Sequence, residues 1–128
     1  MKKVLIADDV SGWRDFNTRV VSSIINGEIQ IDTCKSAGEA YNKILENNDY
    51  PYDVVITDLQ MEDDYAPKHA GEWLIEQIKM LPNYYKCKII MISASGSIRL
   101  IAENLGVDFI PKSTAIKCIS AYEELLIN

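Results

Sequence analysis

Val54-Val55-Ile56-Thr57-Asp58 is a run of four β-branched residues closed by an acid. Val4-Leu5-Ile6-Ala7 is closed the same way, by Asp8-Asp9. β-branched residues fit a pleated surface, and a short apolar run without alternation suits a strand covered on both faces. Further short apolar segments occupy residues 29–34, 89–93 and 107–110, and four of the five are nearly continuous in apolar character. Between the five lie stretches with helical spacing. Trp13, Phe16, Val20, Val21 and Ile24 make one stripe, and Ala37, Ala40, Tyr41 and Ile44 a second. Leu74, Ile75, Ile78 and Leu81 make a third, and Ile98, Ile101, Ala102 and Leu105 a fourth. Ala115, Ile119, Tyr122 and Leu126 make the fifth. Strand and helix alternating five times predicts an α/β protein with a doubly wound parallel sheet and right-handed crossovers.

In such a sheet every strand end opens on the same edge, where these folds place their chemistry. Asp8, Asp9 and Asp58 are therefore expected to meet there. Three acids at one edge repel each other unless a cation joins them, which predicts a divalent-metal pocket containing a carboxylate. Two further strand ends add to it. Residues 89–92 run into Ser93-Ala94, and residues 107–110 into Pro111-Lys112, bringing a hydroxyl and an ammonium. Each residue has a plainer reading on its own. Asp8 and Asp9 could cap the helix beginning near Ser11, and Ser93 the segment after it. Lys112 could be a solvated surface cation. The ordered set on strands one, three, four and five is far more specific than any member. A metal held by Asp9 and Asp58 suits Mg²⁺, which favours hard oxygen ligands and retained waters. Asp58 then has an oxygen able to act as a nucleophile toward phosphorus. Phosphoryl transfer needs mainly positioning and charge neutralisation, which Lys112, Ser93 and the metal can supply.

At 128 residues the chain has the size of one domain, read here as residues 1–128, and its 48% hydrophobic content can fill a core without staples. A net charge of −6 argues against direct contact with nucleic acid or anionic membrane. Cys34, Cys87 and Cys118 are odd in number and form no CxxC pair, as in reduced cytoplasmic proteins. Residues 4–7 are too few for a signal peptide, and no stretch approaches membrane-spanning length. A soluble, cytoplasmic protein is expected.

Asp8-Asp9, Asp58 followed three residues later by Met61, Ser93-Ala94, Phe109 and Lys112 together resemble the response-regulator receiver domain of two-component signalling. The resemblance spans the whole chain. It implies a flavodoxin-like, CheY-like fold, with strand order 2-1-3-4-5 and five helices. It implies that Asp58 accepts a phosphoryl group from a histidine-kinase phosphohistidine, directly or through a phosphotransfer protein. Asp9, Asp58 and the backbone carbonyl of Gln60 would bind Mg²⁺, with Asp8 assisting. Ser93 and Phe109 would form the switch pair that reports phosphorylation to a downstream protein. Several features depart from the family pattern. Pro111 precedes Lys112 instead of following it, Glu62 replaces the proline after Met61, and the 60–70 loop is long. The stretch from Ser93 to Lys112 is short, so the fourth helix is expected to be truncated.

Other readings start from the same residues. An aspartate-nucleophile phosphatase normally has a second Asp two residues after the nucleophile, where this chain has Gln60. A flavin phosphate would be repelled by the three acids. A receiver-fold binding module that is never phosphorylated fits the altered loop. The leading expectation is a switch that catalyses only its own phosphorylation and hydrolysis. Asp63-Asp64 reads as a solvated charge pair, and His69, the only histidine, as a bystander. Trp13 and Trp73 read as core-facing, with Trp13 near the mouth of the pocket because it follows Asp9 by four residues.

Overall fold

The computed structural model describes residues 1–61 and 69–127. Most of the 60–70 loop, with Glu62 and Asp63-Asp64, lies outside the described residues. Strands β1 (Lys2–Ala7), β2 (Ile29–Cys34), β3 (Val54–Asp58), β4 (Lys88–Ser93) and β5 (Asp108–Pro111) form one sheet. Its order is β2-β1-β3-β4-β5 and every pair is parallel, as the alternation and the resemblance predict.

The near-continuous apolar runs divide cleanly between two faces. Leu5, Ala7, Val55, Ile89 and Met91 point to one core cluster. Val4, Ile6, Val54, Ile56, Ile90, Ile92 and Ile110 point to the other. Period-two alternation sends neighbours to opposite faces, so both faces need helices and neither can be polar. Helices α2 (Ala37–Glu46), α3 (Ala70–Lys79) and α4 (Ile98–Leu105) supply residues to the first cluster. Helix α1 (Ser11–Ile24), with α5 (Lys112–Lys117) and α6 (Ser120–Ile127), covers the second. A short 3₁₀ turn, Pro82–Tyr84, precedes β4.

Local signals set several boundaries. The hydroxyl of Ser36 accepts the Glu39 N–H at 3.1 Å and starts α2. Gly106 ends α4 in the left-handed region, φ 70°, where glycine carries no side-chain penalty. At eight residues α4 is shorter than α1, α2 and α3, in line with the short stretch between Ser93 and Lys112.

Among the described residues there are six helices where five are expected, and the difference lies at the C-terminal end. The stripe Ala115, Ile119, Tyr122, Leu126 predicts one helix, but Cys118 (φ −141°, ψ 89°) breaks it in two. As a result Ile119 is 47% exposed, while Ala115 and Tyr122 are fully buried. The cause is tertiary. Helix α5 packs against β4 and β5, whereas α6 packs against β5 and α1. There the Tyr122 hydroxyl donates to the buried Asn17 Oδ1. Burial holds that phenol protonated, pushing its pKa up. Tyr122→Phe would leave Asn17 unsatisfied and is expected to cost about 1–3 kcal/mol in urea unfolding. An unchanged midpoint would show that the pair contributes nothing.

Candidate functional site

Sheet register aligns the functional strand ends. Ala7 pairs with Thr57, Asp58 with Ile92, and Ser93 with Pro111. Asp8, Asp58, Ser93 and Lys112 thus leave four neighbouring strands at one edge. One carboxylate oxygen from each of Asp8, Asp9 and Asp58 lies within 4.8 Å of the others. Asp8 and Asp58 are buried and Asp9 is half-buried.

The hydrogen bonds show how these side chains are held. Asp8 Oδ1 accepts the Val10 N–H at 2.9 Å, and Asp58 Oδ1 accepts the Leu59 N–H at 2.8 Å. Each carboxylate is pinned by its own loop, so its second oxygen has a fixed direction. Lys112 Nζ reaches both second oxygens, 3.2 Å from Asp58 Oδ2 and 3.4 Å from Asp8 Oδ2. The lysine side chain is only 13% exposed, so it is not a solvated surface cation. Helix capping does not account for the acid pair either. The residue before α1 is Val10, and no side chain caps that helix.

One ammonium does not balance this many acids. Burial pushes Asp58 up to about 6, and the charge of Asp8 adds to it. Lys112 and the Leu59 amide pull the other way and lose. Asp8 is also raised, first by burial, against the Val10 amide and Lys112. Asp8 and Asp58 resist ionising, and with Asp9 beside them they offer the hard oxygen donors that a divalent cation matches. The residues present fit Mg²⁺.

Ser93 is buried, and its Oγ accepts the Ser95 N–H at 3.1 Å. It does not cap α4, whose preceding residue is Ser97. Beside it a cleft of about 470 Å³ is lined by Ser93, Ser95, Phe109, Pro111 and Lys112, among others. Phe109 is half-buried, lining that cleft and packing on the α2–α3–α4 core. Gln60, expected to offer its backbone carbonyl, lies two residues past Asp58 with an exposed side chain. His69 directly precedes α3 and makes no capping bond through its side chain.

The sequence profile of the family described as response regulator receiver domain matches residues 4–122. The chain belongs to that family. No curated protein sequence matches it. Solved structures agree on the fold at low sequence identity. The phosphorylated cyanobacterial phytochrome response regulator RcpA is 18% identical, with a TM-score of 0.74 over 99% of this chain and 94% of that one. The non-phosphorylated HemR receiver domain from Leptospira biflexa is 23% identical, TM-score 0.71, over 97% and 92%. Chemotaxis response regulator CheY4 of Vibrio cholerae is 19% identical, TM-score 0.69, over 94% and 98%.

One part of this receiver's site escapes a reading of the sequence, and another is foreseen only in its position. Gly71, in the first turn of α3, is pressed against the main chain of the Asp58 loop. A Cβ there would lie 2.2 Å from Asp58 O and 2.8 Å from Leu59 Cα. A glycine inside a helical pattern is a signal that can be searched for. The other is Trp13, whose ring centroid is 4.8 Å from Lys112 Nζ. Only its four-residue offset from Asp9 hints at that contact. Trp73, by contrast, packs edge-on to Tyr41 on the opposite face. No helix among the described residues is long and apolar enough to cross a membrane.

Proposed function

We propose that this receiver takes a phosphoryl group onto Asp58 from a phosphohistidine of a sensor histidine kinase or phosphotransfer protein. One observation carries the reading. A half-buried lysine is held within hydrogen-bonding reach of a buried aspartate that is already crowded by a second acid. Such a cation placed beside a carboxylate is suited to the oxygens of an incoming phosphoryl group.

The Asp58 carboxylate attacks phosphorus, forming an oxygen–phosphorus bond as the bond to the donor imidazole nitrogen breaks. The product is an acyl phosphate, and the nitrogen lone pair leaves with the donor histidine. The Leu59 amide keeps the carboxylate from turning away. Lys112 moves its hydrogen bonds from the Asp58 carboxylate toward the phosphoryl oxygens. Ser93 uses a lone pair toward Ser95, so its hydroxyl proton can be given to a phosphoryl oxygen. Mg²⁺ held by Asp8, Asp9, Asp58 and the Gln60 carbonyl would supply the charge that Lys112 alone cannot.

Phosphorylation adds charge and acceptor oxygens beside Ser93. Drawing Ser93 inward opens space in the cleft it shares with Phe109, and that aromatic ring reports the change to a protein-binding surface. Moving such an equilibrium from 1:99 to 99:1 takes roughly 5.5 kcal/mol, within reach of a few charge-assisted hydrogen bonds. The output is a protein–protein contact in the cytoplasm, since a net charge of −6 disfavours direct contact with nucleic acid. The domain turns over no external substrate beyond its phosphodonor.

The test is intact mass after incubation with acetyl phosphate and Mg²⁺. Wild type should gain one phosphoryl group and Asp58→Asn none. Wild type that stays unmodified by acetyl phosphate and by a competent kinase would overturn the proposal.

A further inference from the structure

Lys112 carries its ammonium on a flexible four-carbon stem, and both acids depend on where that ammonium rests. The Trp13 indole lies 4.8 Å from Nζ, within the roughly 6 Å range of a cation–π contact. The ring is itself braced. Trp13 meets Phe16 edge-on at 5.4 Å, and Phe16 meets Tyr122 at 6.4 Å. Tyr122 is anchored by its bond to Asn17. The next residue, Arg14, donates from Nη1 to the Asp8 carbonyl at 2.7 Å. The first turn of α1 therefore grips the site twice, at the lysine and at the main chain of the acid pair.

We propose that Trp13 is a positioning residue that keeps the Lys112 ammonium beside Asp58, in place before a phosphoryl group arrives. The inference rests on the phosphoryl-acceptance reading above. A leucine at this position fills part of the volume but offers no π face. Lys112 then samples other rotamers, and many molecules meet the donor without the charge in place. For a cation this shielded from solvent, losing the ring should slow phosphorylation roughly fivefold to tenfold.

Two measurements test it on the full chain. The sequence holds two tryptophans, so Trp73→Phe leaves Trp13 as the sole reporter. In that background, without metal, Lys112→Met should change the Trp13 emission, and an unchanged spectrum overturns the contact. The second is the phosphorylation rate with acetyl phosphate and Mg²⁺ for wild type, Trp13→Leu, Trp13→Phe and Trp13→Tyr. Trp13→Leu should show the full slowing, and the two aromatic variants should recover most of the rate. A role confined to packing would not separate rings from leucine in this way. A folded Trp13→Leu at the wild-type rate, or aromatic variants no better than leucine, overturns the inference alone. If Trp13→Leu does not fold by circular dichroism, Trp13→Met takes its place against the aromatic variants, and a folded Trp13→Met at the wild-type rate overturns it. Wild type that takes no phosphoryl group overturns the phosphoryl-acceptance reading, and this one with it.

Discussion

Gly71→Ala is expected to destabilise the receiver by about 3 kcal/mol or more and to sharply reduce phosphorylation of Asp58. Helix propensity alone argues the reverse, because alanine is favoured over glycine inside a helix by about 1 kcal/mol. Contact geometry decides the sign. The added carbon would lie 2.2 Å from Asp58 O and 3.0 Å from Leu59 O, far inside van der Waals distance. Those neighbours are main chain, so no side chain can swing aside. The Gly71 N–H also donates to Leu59 O at 2.9 Å, tying the start of α3 to that loop. Relief requires α3 to back away or the Asp58 loop to shift, and the second displaces the proposed phosphoryl acceptor. Urea unfolding and intact mass together read both effects. A Gly71→Ala protein with an unchanged midpoint and normal phosphorylation would show that the close approach does not matter.

The second large effect is a dependence of stability on pH in metal-chelated buffer. Asp58 is raised from 3.8 to about 6 by burial and by the charge of Asp8, against Lys112 and the Leu59 amide. The folded state thus holds a proton that the unfolded state has already released. Its contribution is fully present below about pH 4 and is lost as pH rises through 6. The total is about 3 kcal/mol, of which roughly half falls between pH 5 and pH 8. Asp8 is raised as well and acts with the same sign. Chelated wild type should therefore be more stable near pH 5 than near pH 8. Asp58→Asn cannot ionise, so its stability should change less over that interval and match or exceed wild type at pH 8. Added Mg²⁺ should raise the wild-type midpoint much more at pH 8 than at pH 5. Equal midpoints for chelated wild type at both pH values would show that the strain on these acids is absent.

The sheet and its functional edge were legible because their information is local. A run such as Val4-Leu5-Ile6-Ala7 followed by Asp8-Asp9 carries strand, burial and edge together, and parallel topology brings the ends side by side. The parts that stayed hidden depend on contacts between distant segments. No glycine or proline near Cys118 marks the break between α5 and α6. It follows from α6 packing on α1 through Tyr122 and Asn17. Asn17 is polar and lies between the apolar stripe residues Phe16 and Val20, where nothing local explains its burial. The sequence places Lys112 at the functional edge, but its shielding arises from Asp8, Asp58 and Trp13 on other elements. The tightness around Gly71 is likewise a property of α3 meeting the end of β3, not of either segment.

Strand β5 borders the sheet, spans four residues and closes on Pro111. An imino acid has no amide hydrogen to offer, and Asp108 places a charge at the strand's other end. This flank is a poor template for an intruding chain, which limits edge-to-edge aggregation just beside Lys112. A protein engaging that flank has to recognise side chains, because lengthening the hydrogen-bonded ladder there is disfavoured.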